Sequence, residues 1–298
     1  MTTDYKALKA GGFMRQVQKD RFSLRIKVVG GNLTTGQLRT IAEVADRHGV
    51  GHVHLTSRQG LEIPFIELKD IETVKESLAA GSVDTGICGP RVRTVTACQG
   101  SEVCPHGCVD TLALAKAISD RYFGRELPHK FKFGITGCQN NCLKAEENDL
   151  GIKGGYVIEW QEQPCVYCGI CAKVCREGAI FASDDEIRLD PSKCNHCGRC
   201  VKSCPSDAWK GQSGYILSFG GLFGNRIYTG KHIIGIQTDL ETVFRAADAA
   251  LDFFKLHGNP GERFLAAIER TGWEELKNAV QAAVLAPSPA PSQAGAAA

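Results

Sequence analysis

Hydrophobic and polar residues alternate over Phe22–Val29, and this pattern predicts a strand. A helix is predicted next, because apolar residues recur there at helical spacing; they are Leu38, Ile41, Val44 and Ala45. Thr35 is placed to cap the start of this helix, and Gly49 stands where a C-terminal cap is expected.

Two short strands, His52–Thr56 and Leu61–Leu68, are predicted after this helix. Pro64 indicates that the second strand is an edge strand or contains a bulge, because proline cannot donate to the ladder. A helix over Ile71–Ala79, capped by Asp70, follows. The order β-α-β-β-α is most of a split β-α-β sandwich.

The same patterns predict further elements between residues 91 and 159 and again after residue 213. The strands are Arg91–Thr96, Lys130–Thr136, Gly151–Glu159 (strand or turn) and Gly214–Phe219. The helices are Val109–Phe123, Asp239–Leu256, Gly261–Arg270 and Trp273–Val284. In Val109–Phe123 the expected buried side carries Leu112, Ala115, Ile118 and Phe123. Gly220–Gly224 is predicted as a tight loop, and Pro287–Ala298 as a disordered tail.

Composition and charge narrow the class of protein. The 298 residues are 43% hydrophobic and 23% charged, which allows one large domain or two smaller ones with a packed core. The net charge of +2 gives no reason to expect nucleic acid or a membrane surface as a partner. Met1–Gly12 has no apolar run typical of a signal peptide, and no stretch approaches the length of a membrane span. A cytoplasmic location is therefore expected.

Eight of the 14 cysteines form an internal repeat between Gln161 and Trp209. The two runs are Cys165-x2-Cys168-x2-Cys171-x3-Cys175 and Cys194-x2-Cys197-x2-Cys200-x3-Cys204-Pro205. This spacing is that of bacterial two-cluster ferredoxins, in which the fourth cysteine of each run ligates the other cluster. One cube would take Cys165, Cys168, Cys171 and Cys204, and the other Cys194, Cys197, Cys200 and Cys175. A zinc ribbon uses paired C-x2-C units, so two complete runs argue against it.

Four more cysteines form two pairs, Cys98-x5-Cys104 and Cys138-x3-Cys142. Four thiolates in two clusters suit an additional iron–sulfur cube, although a purely structural role is the alternative. Cys88 and Cys108 remain outside every group. For these two, the preferred interpretation is that of small buried hydrophobic residues.

Three predicted strands carry two cations at positions i and i+2, namely Arg25/Lys27, Arg91/Arg93 and Lys130/Lys132. In Lys130-Phe131-Lys132-Phe133 the lysines share one face of the strand and the phenylalanines the other. A solvated basic face explains most single pairs of this kind. Three pairs, two of them just upstream of cluster cysteines, favour a place where an anion is bound and reduced.

Taken together, these motifs resemble those of the sirohaem-dependent sulfite and nitrite reductase family. Cys98-x5-Cys104 and Thr136-Gly137-Cys138-Gln139-Asn140-Asn141-Cys142 resemble its cluster motif, and Leu55-Thr56-Ser57-Arg58-Gln59-Gly60 its cofactor-binding segment. Leu24-Arg25-Ile26-Lys27, Arg93 and Lys130-Phe131-Lys132 resemble its substrate-binding segments. With the inserted ferredoxin pattern, the chain is most similar to the catalytic C subunit of anaerobic sulfite reductase and to small dissimilatory-type proteins.

The resemblance implies a set of roles. Arg25, Arg93, Lys130 and Lys132 would bind the oxyanion, and Arg58 a carboxylate of the haem. Cys142 would bridge the cube and the sirohaem iron, and Lys144 and Arg226 are candidates for neutralising further haem carboxylates. The implied cofactors are sirohaem and three 4Fe-4S clusters. No dinucleotide fingerprint is visible, so a ferredoxin or a flavin subunit would donate the electrons.

The implied fold is α+β, in four parts. Residues 1–82 would form the ferredoxin-like half domain. Residues 83–160 with 211–285 would bind sirohaem and the cube of Cys98, Cys104, Cys138 and Cys142, the core cube. Residues 161–210 would be the inserted ferredoxin domain, and residues 286–298 the tail. Larger relatives carry two copies of the repeat, whereas this chain has one, so a homodimer or paired subunit sharing its sites is expected. The expected activity is six-electron reduction of sulfite to sulfide. The alternatives are reduction of nitrite to ammonia and a non-catalytic electron-transfer subunit.

Overall fold

The computed structural model describes residues 3–286, and the predicted tail lies outside them. The first part of the chain forms an antiparallel sheet with strand order β1-β2-β4-β3. Its strands are β1 (Phe13–Arg15), β2 (Arg21–Ile26), β3 (His54–Leu55) and β4 (Leu61–Glu67). Three helices accompany it: α1 (Tyr5–Ala10), α2 (Thr35–His48) and α3 (Ile71–Ala80). Apolar residues of this sheet and of α2 and α3 form a separate core.

Two helix caps differ from the sequence prediction. Thr34, not Thr35, caps α2, because its side chain accepts from the Gln37 N–H while the Gln37 side chain accepts from the Thr34 N–H. Asp70 makes no capping hydrogen bond to α3, because it belongs to a 3-10 turn that leads into the helix. The predicted end of α2 at Gly49 is confirmed by its N–H bond to Ala45.

The bulge predicted at Pro64 is present, but the edge position is wrong. Strand β4 lies between β2 and β3, and its register with β2 shifts between Phe22 and Leu24. Pro64 and Phe65 occupy the irregular position, and Phe65 has a φ of 66°. The irregularity accommodates a proline inside the sheet because the missing N–H falls where the ladder is interrupted.

The second sheet has the order β10-β7-β6-β5. Its strands are β5 (Thr96–Ala97), β6 (Phe133–Thr136), β7 (Leu150–Trp160) and β10 (Trp209–Phe219). Strands β5, β6 and β7 are parallel, and β10 runs antiparallel to β7. Strand β10 begins five residues before the predicted start because it pairs with β7 as far as Trp160 opposite Trp209.

Helices cover this sheet and form the largest core. They are α4 (Thr111–Tyr122), α7 (Leu240–His257), α8 (Phe264–Thr271) and α9 (Trp273–Leu285). The buried face of α4 holds Ala115 and Ile118 as predicted, but Leu112 is 40% exposed and Leu114 is buried instead. Helix α8 begins later than predicted, because Gly261 has a φ of 84° and bonds to the Pro128 carbonyl.

The cysteine repeat lies between the paired strands β7 and β10. The segment 161–208 leaves the sheet after Trp160 and returns at Trp209, and the Gln161 N–H bonds to the Ala208 carbonyl across its base. It contains α5 (Ile170–Val174), α6 (Arg199–Ser203) and a hairpin of β8 (Ile180–Ala182) and β9 (Ile187–Leu189). Its small core includes Cys171, Cys200 and Trp209.

The predicted loop at Gly220–Gly224 contains strand structure. Leu222–Phe223 forms β11, which pairs with β12 (Ile227–Tyr228) in a short exposed ribbon. Among the helices of residues 3–286, none is long and apolar enough to cross a membrane.

Candidate active site

A cleft of about 330 Å³ lies where the first sheet meets the second. Five cations from four separate stretches of the chain line it: Arg25, Arg58, Arg93, Lys130 and Lys132. Glu62 is the acidic residue of this lining. The structure therefore brings together the four predicted oxyanion residues and the predicted haem-binding arginine. We call this site the cationic cleft.

The two lysines enter the cationic cleft because of the alternation that leads into β6. Phe131 and Phe133 are fully buried and pack against each other, with ring centroids 5.2 Å apart. Lys130 and Lys132 therefore point the other way and line the cleft. Burial lowers the pKa of Lys132 to about 8, and the Arg58 and Arg263 charges add to this effect. An ammonium with such a pKa holds its proton at neutral pH but releases it more readily than an exposed lysine.

The arginines are held by neighbouring groups. Arg25 donates from Nε to Glu62 at 2.8 Å and from Nη1 to the Cys88 Sγ at 3.0 Å. Arg93 donates to the carbonyl oxygens of Ile87 (2.9 Å) and Gly89 (3.0 Å). Cys88 is buried as predicted, but it is also a hydrogen-bond partner of a cleft arginine, which the hydrophobic interpretation missed.

Arg58 is anchored across both sheets. It donates to the Asn148 Oδ1 at 2.9 Å and to the Thr94 carbonyl at 3.3 Å, and burial lowers its pKa to about 10. The adjacent Gln59 side chain forms two hydrogen bonds of 2.9 Å with the backbone of Ala97. The segment 56–60 thus fixes one sheet against the other at the cleft.

Two residues beneath the cationic cleft escaped the sequence analysis. Asp149 is fully buried and accepts hydrogen bonds from the Lys132 N–H and from Arg263. Arg263 lies just before α8, 114 positions further along the chain. No local spacing relates these two residues, so no pattern in the sequence could have paired them.

Not every predicted cation lies in this cleft. Lys27 is 3.3 Å from Asp84 and Arg91 is 2.7 Å from Glu126, and neither lines the cleft. Lys144 and Arg226 also lie outside it: Lys144 stands over the Phe223 ring at 5.3 Å, and Arg226 is exposed at the turn between β11 and β12.

Four cysteines lie close together after the C-terminal ends of β5 and β6. They are Cys98, Cys104, Cys138 and Cys142, and we call them the core cysteines. Burial raises the pKa of the Cys138 thiol, and the nearby Cys104, Cys142 and Cys98 thiols add to the rise. The Gly137 N–H donates to the Cys98 Sγ at 3.1 Å, and Cys142 is exposed. An N–H bond to sulfur and a set of four thiols fit an iron–sulfur cube.

No three His, Cys, Asp or Glu side chains within residues 3–286 converge closely enough to hold a single metal ion. The thiolates of a cube bind four different irons and therefore stand farther apart than the ligands of one ion. The core cysteines lie near one another without converging on a single point, and this spacing fits a four-iron cube better than one metal ion.

Segment 161–208 repeats its hydrogen bonds to sulfur as well as its cysteines. In both halves, the sulfur of the first cysteine accepts from the N–H two residues later, and that of the fourth from the N–H four residues later. The pairs are Tyr167 to Cys165 (3.4 Å), His196 to Cys194 (3.4 Å), Ala179 to Cys175 (3.3 Å) and Ala208 to Cys204 (3.2 Å). Hydrogen bonds of this kind stabilise thiolate charge and tune cluster potentials.

The second half of this segment touches the core cysteine loop. Lys202 donates to the carbonyl oxygens of Pro105 (3.2 Å) and Gly107 (3.3 Å). Cys108 lies between the two regions: burial raises its pKa to about 11, and Cys138 and Cys197 are among the charges that act on it. Cys168, by contrast, is exposed.

Family comparisons agree with this arrangement. A family model described as the nitrite and sulphite reductase 4Fe-4S domain matches residues 88–286. A second, described as the nitrite/sulfite reductase ferredoxin-like half domain, matches residues 14–81. Together with the cationic cleft and the core cysteines, these matches define the chain as an iron–sulfur oxidoreductase. It belongs to the sirohaem-dependent sulfite and nitrite reductase family.

Individual relatives support the same assignment. The chain is 30% identical to the coenzyme F420-dependent sulfite reductase of Methanocaldococcus jannaschii over 93% of its own length and 44% of that protein. It is 30% identical to the C subunit of the anaerobic sulfite reductase of Salmonella typhimurium over 53% of its length and 50% of that protein. The chain thus spans about half or less of these two relatives. The crystal structure of dissimilatory sulfite reductase I has the same fold, with a TM-score of 0.71 at 19% identity over 91% of this chain and 73% of that one.

Proposed function

We propose that this protein reduces sulfite to sulfide in a six-electron reaction. The observation that carries the proposal is the cationic cleft: four cations of the predicted oxyanion set and Arg58 line one cavity. Such a set of fixed charges stabilises an anion and the charge that develops as its oxygens are removed. The two relatives above are both sulfite reductases, and this supports sulfite over nitrite as the substrate.

In this proposal, Arg25 and Arg93 bind sulfite oxygens through their planar guanidinium groups. Lys130 and Lys132 bind the remaining oxygen charge and donate protons to the oxygens that leave as water. The lowered pKa of Lys132, about 8, suits proton donation near neutral pH. Glu62 orients Arg25 through its 2.8 Å hydrogen bond.

Members of the family bind sirohaem and a 4Fe-4S cluster. Here Cys98, Cys104, Cys138 and Cys142 would hold the core cube, and the exposed Cys142 would face the haem. Lys144 and Arg226 would neutralise haem carboxylates on that side, and Arg58 one on the cleft side. When bound, this cofactor pair supplies an open iron site and single electrons in succession.

The cationic cleft and the core cysteines lie at opposite ends of β6. Lys132 precedes the strand and Cys138 follows it, so six residues at about 3.3 Å each separate them by on the order of 20 Å. Arg93 and Cys98 flank β5 in the same way. The cations and the cube ligands of one chain therefore lie at different ends of the same strands, and this supports a site shared between two chains. We propose a homodimer, or a pair with a related subunit, in which each site takes its cations from one chain and its cube from the other.

Combining two impaired variants tests the shared site. Lys132→Met removes a cation and Cys138→Ser removes a cube ligand, and each variant alone should keep no more than about 1% of the wild-type activity. When the two variants are produced together in equal amounts in the same cells, half of the dimers are mixed and contain one intact site, so about a quarter of the wild-type activity should return. An unshared site would leave the mixture at that residual activity, and an active isolated monomer would also contradict the proposal.

Residues 161–210 are proposed as an inserted ferredoxin domain with two further clusters. In the same proposal, residues 83–160 with 211–285 form the domain that binds sirohaem and the core cube, and residues 1–82 form the ferredoxin-like half domain. The Lys202 contacts and Cys108 favour the cube of Cys175, Cys194, Cys197 and Cys200 as the neighbour of the core cube. The exposed Cys168 belongs to the other set, which suits contact with a ferredoxin or flavin donor.

The first experiment is an anaerobic optical spectrum of the purified protein before and after sulfite is added, with cofactor extraction and turnover. Sirohaem bands that shift with sulfite, and faster turnover of sulfite than of nitrite with a low-potential dye, are expected. Faster turnover of nitrite would move the assignment to nitrite reduction. Iron–sulfur absorption without sirohaem, in protein made with sirohaem available, would leave an electron-transfer subunit.

A further inference from the structure

Asp149 is a buried carboxylate within a group of cations, and the proposed reaction gives it no role. Its side chain is fully buried. The Lys132 N–H donates to its Oδ2 at 2.9 Å, and Arg263 Nη2 lies 3.1 and 3.2 Å from its two oxygens. Burial raises the pKa of Asp149, whereas Arg263 and Lys132 oppose the rise and favour the charged carboxylate. A carboxylate with these partners is fixed in position.

The charges around Lys132 come from several elements. Arg58 lies in the segment between β3 and β4, Lys130 precedes β6, and Arg263 precedes α8; all three disfavour the ammonium form of Lys132. Asp149, just before β7, is the negative charge that acts on it. His129 and Arg93 belong to the same group of charges. The Lys130 charge lowers the pKa of His129, and the Arg93 charge lowers the pKa of Lys130. Asp149 is therefore the internal counterion of the cation group.

We propose that Asp149 and Arg263 form a positioning pair for Lys132. The carboxylate fixes the backbone of Lys132 at the entry to β6, and its charge keeps the lysine an ammonium among its cationic neighbours. Arg263 holds the carboxylate and offsets part of its charge. Neither member lines the cleft, so the pair acts through Lys132 rather than on the substrate.

The pair deepens the proposed function and rests on it in one respect only, the use of the Lys132 proton. In that use the Nζ–H bond of Lys132 breaks as an O–H bond forms on the departing oxygen, and solvent returns the proton to the amine. The charge of Lys132 itself can be measured without turnover, so the two claims can fail separately.

The test measures how readily Lys132 of the intact holoprotein reacts with acetic anhydride as a function of pH, read by mass spectrometry. Only the neutral amine reacts, so the midpoint of labelling reports the charge of this lysine. Asp149→Asn should move the midpoint about one pH unit lower, and Arg263→Gln about one unit higher. Arg263→Lys, which keeps the charge, and Arg91→Gln, outside the cleft, should leave it unchanged.

A merely structural role predicts a different result. Loosening the floor of the cleft would hydrate Lys132, and both Asp149→Asn and Arg263→Gln would then raise the midpoint. A rise in Asp149→Asn, or no change in Arg263→Gln, overturns the proposal, and the second outcome does so even if Asp149→Asn does not fold. The alkaline limb of kcat/KM for sulfite should follow the same midpoints. If the midpoints separate while that limb stays in place, the pair stands and the proton-donor role of Lys132 fails.

Discussion

The cationic cleft and segment 161–208 assemble their chemistry in opposite ways. The cleft contains cations from positions 25, 58, 93, 130 and 132, which lie in or next to the strands of two sheets. The segment places eight cysteines in two adjacent runs, and each run repeats the same N–H bonds to sulfur. The cleft therefore depends on the packing of distant elements, whereas the segment depends on local spacing. Substitutions should damage the cleft through charge and position, and the segment through loss of individual ligands.

The largest expected effect lies at the core cysteines, because the proposed mechanism passes electrons through their cube to the anion. Cys138→Ser removes a proposed ligand of the core cube and should abolish turnover with every donor. Iron–sulfur absorption from segment 161–208 should persist, because that segment closes on its own base at Trp160 and Trp209. Cys108→Ser is the matched control, since Cys108 belongs to neither ligand set and the variant should keep its activity. Full turnover in Cys138→Ser, measured by sulfide production, would remove the cube from the mechanism.

A cleft substitution should leave the clusters intact and reduce catalysis. Lys132→Met is expected to lower kcat/KM for sulfite by about 10²–10³-fold, the usual loss for one charge-stabilising donor. The optical spectrum should remain that of the wild type. Arg91→Gln changes a cation outside the cleft and should have little effect. Equal losses in the two variants would mean that general surface charge, not the cleft, attracts the anion.

A substitution at Cys168, an exposed cysteine and a proposed cluster ligand, should separate electron entry from anion chemistry. Cys168→Ser should lose most turnover with a protein donor but keep most turnover with a small low-potential dye, which can reach the remaining clusters. The measurement is the ratio of the two rates. Equal losses with both donors would indicate that the whole segment had unfolded rather than lost one entry point.

The smallest effect concerns the loop that carries Cys142. Glu146 bonds Asn141, Lys153 and His232, and the His232 and Lys153 bonds lower its pKa to about 2. Because the folded-state pKa is depressed, this carboxylate stabilises the fold above its ordinary pKa, and the contribution is lost as pH falls toward 2. Glu146→Gln should cost about 1–3 kcal/mol in the free energy of unfolding at neutral pH, and less in acid.

Denaturant titrations of Glu146→Gln at neutral and acidic pH measure this difference. Glu126→Gln, in an exposed pair with Arg91, is the control and should change stability by less than about 0.5 kcal/mol. A pH-independent loss in Glu146→Gln would assign the effect to packing instead of charge.

Local sequence patterns correctly predicted the facing of the cleft lysines, one β-bulge and one helix end. The alternation at Lys130–Phe133 separated cleft lysines from core phenylalanines, because strand side chains alternate faces. The bulge at Pro64 and the end of α2 at Gly49 also followed from local chemistry. Local chemistry did not predict which threonine caps α2. Thr34 and Thr35 are adjacent and carry the same hydroxyl, so only the backbone conformation selects Thr34.

By itself, the sequence determined the spacing of the thiols, the alternation that orients the lysines and the family to which the chain belongs. All of these depend on neighbours along the chain, whose distances are set by covalent geometry. Only the tertiary structure decided that Arg91 and Lys27 lie outside the cleft, and that Asp149 and Arg263 meet beneath Lys132. Such relations arise when distant segments pack together, and no local pattern records them.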